Sequence, residues 1–149
     1  MEHKNLKRQE IKELLNKRSG LFGLAGIESN DIRDIIAARK NGNRLADTAL
    51  RTFAYRIKKY IGAYTSALGG LDAIVFTAGI RINAPSVREL VCLNLERLGI
   101  VIDTEKNMAE NHCIREIQGR RSRVNILVIP TNEEKEIALE VKKLLFTGK

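Results

Sequence analysis

The chain has 149 residues, 44% of them hydrophobic, and a net charge of +8, which supports one domain with its own core and is short for a two-domain enzyme. Its longest apolar runs, such as 73–76 and 126–129, are strand-sized and far below the roughly 20 residues of a membrane helix. A charged opening stretch and only two cysteines, Cys92 and Cys113, argue against a signal peptide and a disulfide framework, so a reducing, cytoplasmic setting and no membrane contact are expected.

The basic residues come in short pieces, KNLKR, RIKKY, GRRSR and EVKKLL, interleaved with acids. No stripe results, so a solvated surface or attraction for a small polyanion is expected rather than a nucleic-acid interface.

Residues 5–17 carry Leu6, Ile11, Leu14 and Leu15 at mostly three- and four-residue spacing among Lys, Arg and Glu, which predicts an amphipathic helix. SGLFGLAGIESND follows as a predicted glycine-rich loop, with Ser29 or Asn30 capping a short helix to about Arg39. Leu45, Ala49, Phe53, Ile57, Ile61, Tyr64 and Leu68 then recur at helical spacing before Gly69 and Gly70, predicting the longest helix of the chain. Gly62 inside it costs about 1 kcal/mol against alanine, which points to close packing of a neighbour there.

AIVFTA reads as a strand, and a helix is predicted from Pro85 to about Leu98, with proline in its first turn and Gly99 past its end. IVID is a further short strand candidate, CIREIQGRRSRVNILVIP reads as two strands joined by a polar turn, and a last amphipathic helix begins at Thr131. Helices with four strand candidates predict a layered α/β domain rather than a bundle.

Three constellations bear on chemistry. Thr77, Gly79 and Asn83 lie between a strand's carboxyl end and a helix start, where glycine and free N–H groups can meet a phosphate; equally, Gly79 only permits a sharp turn. Asp31 and Arg33, two apart, do not share a helical face. They either point together at a ligand from a non-helical segment or form separate surface ion pairs of little worth. In PTNEE, Thr131 and Glu134 have capping-box spacing, which leaves Glu133 to hold Mg²⁺ or simply to face the helix dipole. His3 and His112 are isolated from other ligand types, and Cys92 reads as a small core residue.

The phrases LNKRSGLFGLAGIESNDIRDI, FAYRIKKYIGAYTSALGGLDAIVFTAGI, VRELVCLNLERLGIVID and ILVIPTNEE together resemble the C-terminal part of the acetate kinase family, from about Leu14 to Ala138. The resemblance implies a ribonuclease-H-like domain of the actin, hexokinase and heat-shock ATPase superfamily. It also implies the reaction ATP + acetate ⇌ ADP + acetyl phosphate with Mg²⁺, and a homodimer contact in this domain. The family's Asp-x-Arg nucleotide motif falls on Asp31, Ile32 and Arg33, its magnesium-binding glutamate on Glu133, and its adenosine-contacting turn on Gly79, Ile80, Arg81, Ile82 and Asn83.

That turn usually reads Gly-Ile-Gly-Glu-Asn. Arg81 in place of the second glycine, and Ile82 in place of the glutamate, predict weakened nucleotide binding, unless Arg81 swings outward onto a phosphate. No counterpart of the family's catalytic aspartate, acceptor-site arginines and histidine, or phosphate loop occurs in these residues, so no catalytic residue is assigned and the chain by itself is expected to be inactive. The alternatives are one subunit of a split kinase, completed by the missing N-terminal half, or a noncatalytic interaction module that dimerises or uses its basic surface to bind nucleic acid.

Overall fold

The computed structural model describes residues 7–77, 84–109, 113–130 and 133–146, with the backbone alone at 133 and 134. Helix α1 spans Arg8–Lys17, α2 Gly20–Ala25, α3 Ile32–Lys40 and α4 Arg44–Leu68. Strand β1, Ala73–Phe76, is followed by α5, Pro85–Cys92, a 3₁₀ turn at Glu96–Leu98 and α6, Thr104–Met108. Strands β2, Arg115–Glu116, and β3, Asn125–Val128, precede α7, Glu133–Phe146.

The long helix carries the helical layer. Asn43 caps it by accepting from Leu45 N at 2.9 Å and Ala46 N at 3.1 Å, and Gly69 ends it at φ +73, with Gly70 N donating back to Thr65 O. Its buried face is Ala46, Ala49, Leu50 and Ala54, against which α2, α3 and α5 pack. Small alanines on this face let the neighbouring helices approach closely.

The sheet has the order β1-β3-β2. β1 and β3 are parallel, with Phe76 opposite Val128, and β2 is antiparallel to β3. The parallel pairing joins elements far apart in sequence and places the carboxyl ends of β1 and β3 at one edge. Ile126, Val128 and Phe76 from the sheet meet Val87 and Val91 of α5 and Leu50 of α4 in one buried cluster. This is the layered α/β arrangement that the element order predicts.

Several sequence expectations are corrected. Residues 20–25, expected as loop, form α2: Ala25 is fully buried and Leu21 packs on the core, so tertiary burial outweighs the low helix propensity of the glycines. Gly23 is needed there, because a Cβ would lie 2.8 Å from Arg18 O. The cap of α3 is Asp31, not Ser29 or Asn30: its carboxylate reaches Arg33 N, while Ser29 Oγ accepts from Asp31 N and donates to Asp34.

The helix from Pro85 stops at Cys92 rather than Leu98. Leu93 turns extended and Asn94 takes φ +62, which breaks the chain direction before the 3₁₀ turn. IVID contributes a single bridge, Ile102 to Gln118, rather than a strand. Gly62 meets no atom within 4 Å of a Cβ position, so the close neighbour expected there is absent among the described residues. Leu45, Tyr64 and Leu68, on the predicted apolar stripe of α4, are exposed, because the neighbouring helices pack on its alanine-lined face and cover neither end of the stripe. The capping box expected at Thr131 and Glu134 lies outside the described residues.

Candidate functional site

At the start of α3 the sequence places an acid at the cap and an arginine two residues on. The cap residue is extended, at φ −71 and ψ 125, which frees Asp31 from helical geometry and lets both side chains meet. Asp31 Oδ1 accepts from Arg33 N at 2.8 Å and from Arg33 Nε at 3.0 Å, and Oδ2 accepts from Arg33 Nη2 at 2.5 Å. The pair is therefore neither two separate ion pairs nor two independent groups: one carboxylate holds both the helix end and a guanidinium fork.

The fork stays in solvent, with the Arg33 side chain 66% exposed. Hydrogen bonds from the Arg33 side chain and backbone hold the Asp31 carboxyl down at about 2, and the same carboxylate raises the Arg33 pKa further. Both are fully charged at neutral pH. Arg33 Nη1 has no partner among the described residues, so a planar donor edge is presented for a phosphate oxygen, the geometry that suits a guanidinium.

The other candidate residues follow the strands. β1 and β3 leave the sheet at the same edge, with Phe76 O accepting from Ile129 N at 3.0 Å. The 77–84 and 129–133 connections thus begin side by side, at the place where open α/β sheets collect ligands. Gly79, Ile80, Arg81, Ile82 and Asn83 lie outside the described residues, as does the side chain of Glu133, whose backbone opens α7. Among the described residues there is no group of three or more His, Cys, Asp and Glu that could hold a metal, and no helix is long and apolar enough to cross a membrane.

Two residues that the sequence reading passed over stand out beside this edge. Arg88, in α5, is fully buried, and Asn107 of α6 is 1% exposed. Arg88 Nε donates to Asn107 Oδ1 at 2.7 Å and Nη2 to Asn107 O at 2.9 Å, while Asn107 Nδ2 donates to Pro85 O at 3.0 Å. A signal was present: Arg88 sits three and four residues before Val91 and Cys92, on the buried face of an amphipathic helix. Cys92 itself is a core residue as expected, its thiol pushed up to about 12 by burial.

The family model for the acetokinase family matches residues 1–139. The chain belongs to the acetokinase family. Acetate kinase of Dictyoglomus turgidum is 48% identical over 145 residues, covering 97% of this chain and 35% of that protein. Acetate kinase of Nitratidesulfovibrio vulgaris is 54% identical over 138 residues, covering 93% and 34% respectively.

The crystal structure of Porphyromonas gingivalis acetate kinase superposes with a TM-score of 0.82 at 43% identity, over 94% of this chain and 35% of that one. A propionate kinase from Francisella tularensis gives 0.78 at 38% identity, over 91% and 34%. The fold is thus that of the acetate kinases, an actin-like α/β domain, and the chain spans about a third of the length of these relatives. Acetokinase membership bears out the family expected from the sequence phrases.

Proposed function

We propose that these residues carry one part of an acetokinase ATP and Mg²⁺ site, and that by themselves they bind nucleotide without transferring a phosphoryl group. The observation that carries this reading is the exposed Asp31–Arg33 fork in a chain of this family. Arg33 is assigned to a nucleotide phosphate, with Asp31 holding its plane and Ile32 between them opening α3. The 79–83 turn, Gly79, Ile80, Arg81, Ile82 and Asn83, is assigned to the nucleoside, and Glu133 to Mg²⁺. Bound ATP supplies the transferable phosphoryl group. Phosphoryl transfer to acetate is electrostatic positioning around that group, and its remaining elements have no counterpart in these 149 residues.

Calorimetric titration with Mg-ATP tests the reading. Binding that Arg33→Ala abolishes and Arg81→Gly strengthens is expected, with no acetyl phosphate formed from acetate and Mg-ATP by the chain alone. Turnover by the chain alone would sink the inactive part of the proposal. No binding by either the parent or Arg81→Gly would sink the half-site.

A second reading, association with another polypeptide, is favoured by separate observations. Ile137, Leu144, Leu145 and Phe146 of α7 and Tyr55, Tyr60, Tyr64 and Leu68 of α4 are all exposed. Apolar surface of that extent marks contact surfaces. The partner is either a second copy, giving a homodimer, or a polypeptide with the N-terminal portion of a split kinase. Sedimentation of the chain alone, and activity after mixing with such a portion, separate the two.

A further inference from the structure

We infer that Arg88 and Asn107 are positioning residues, forming a buried clasp that fixes the first turn of α5 at the helix-side edge of the nucleotide site. The inference rests on the nucleotide reading above and adds to it the residues that hold that edge in place.

One asparagine ties both ends of the first turn of α5. Its carboxamide N–H holds Pro85 O, its carboxamide oxygen receives Arg88 Nε, and its backbone carbonyl receives Arg88 Nη2. Residues 85 and 88 are therefore fixed to one point of α6. That point is itself fixed to the sheet layer: Asp103 N donates to Ile117 O at 2.8 Å, and Ile117 N to Ile126 O at 2.8 Å. Lys106 Nζ holds Gln118 O at 3.0 Å, and Arg115 Nη1 holds Ala109 O just past α6. An unbroken hydrogen-bonded path runs from β3, through α6, to the start of α5.

The carboxyl end of β1 is pinned to the same strand, through Ile129 N to Phe76 O. Both ends of the 77–84 connection are thus referred to β3.

The choice of residues is informative. A fully buried guanidinium is costly to desolvate and lies within reach of the Arg115 charge, and together these depress its pKa to about 10. An apolar side chain would fill an α5–α6 contact at lower cost. What a planar fork adds over an apolar contact is direction: it fixes the rotation of α5 about its axis as well as its distance. Orientation of this helix start matters because it sets where the chain rejoins the domain after β1, whose carboxyl end lies beside that of β3.

The test uses the whole chain, as parent and in the Arg81→Gly background, with Asn107→Ala and the milder Arg88→Lys. Hydrogen exchange is followed in α5 and in α4, and Mg-ATP and Mg-tripolyphosphate are titrated. Loss of the clasp is expected to speed exchange at Val87 and Arg88 N, whose bonds to Ala84 O close the first turn, by about tenfold or more. Protection of α4, which packs on α5, is expected to fall by less than that of this first turn. Mg-ATP should bind about tenfold more weakly, while Mg-tripolyphosphate, which lacks the nucleoside that this edge serves, keeps its affinity. Arg88→Lys, with the charge but no fork, is expected to fall between.

Unchanged exchange in α5 would overturn the clasp. So would equal weakening of both ligands, or a loss of α4 protection equal to that in α5, since these signify only a general loss of stability. If neither background binds Mg-ATP, the nucleotide reading fails instead, and the exchange comparison still decides whether the clasp holds the helix start.

Discussion

Two arginines in this chain are each held by a neighbour with comparable geometry, yet they sit in opposite surroundings. Arg33 leans on the carboxylate of its own helix cap and stays in water; Arg88 is gripped by Asn107 and sees no solvent. In water the attraction between unit charges is screened, so the exposed Asp31–Arg33 pair is cheap to open. In the interior nothing replaces a lost partner, so the Arg88 contacts fix one arrangement. Burial, rather than hydrogen-bond length, separates the two arginines.

The sharpest way to break this comparison is to remove the buried partner. Arg88→Met is expected to leave the polar groups of Asn107 stranded and to lower unfolding stability by ~3–5 kcal/mol, read as a fall in urea midpoint with an unchanged slope. If the loss is below ~1 kcal/mol, the interior tolerates the change and the contrast between the two arginines disappears.

Leu50→Ala calibrates that loss against pure packing. Leu50 is fully buried where α4 meets its neighbours, and a loss of ~2–5 kcal/mol is expected from the cavity and lost transfer energy. A value near the bottom of that range would mean that the alanine-lined face of α4 collapses to fill the space.

Asn43→Ala removes a half-buried cap that satisfies two N–H groups of α4, and ~1 kcal/mol is expected. Thermal melts beside Asn43→Asp, which can still cap, isolate the hydrogen bonds from the residue change.

The smallest effect concerns the exposed pair. The folded Asp31 carboxyl is depressed from its ordinary value of 3.8 to about 2 by its hydrogen bonds to Arg33. Its contribution is therefore whole above 3.8 and is lost as pH falls through about 2. The urea midpoint of Asp31→Asn is expected to lie below that of the parent at neutral pH, and the gap to close on acidification. A gap that persists unchanged at the acid end would mean that the pair's charge adds nothing to stability.

How much of this was legible beforehand varies by element. The span of α4 was readable because its apolar period and terminal glycines agree. Residues 20–25 were not, because only packing on α4 reveals why a glycine-rich stretch is helical. The helix from Pro85 was readable at its start, where proline fixes φ, and misread at its end, where Asn94 adopts a left-handed conformation with no glycine to announce it. Asp31 and Arg33 are singled out by motif, but their mutual pairing depends on a cap conformation that spacing alone left open. Arg88 carried a signal, a cation on an apolar stripe, whose meaning required knowing that Asn107 stands opposite.

The sequence by itself determined the family, the α/β class and the position of the long helix, because long specific phrases and local periodicity are properties of consecutive residues. Only the tertiary structure decided that β1 and β3 pair in parallel, that Asp31 closes on Arg33, and that Arg88 is buried against Asn107. The β1–β3 and Arg88–Asn107 contacts join residues far apart in the chain, and whether a polar group is exposed or buried depends on everything packed around it.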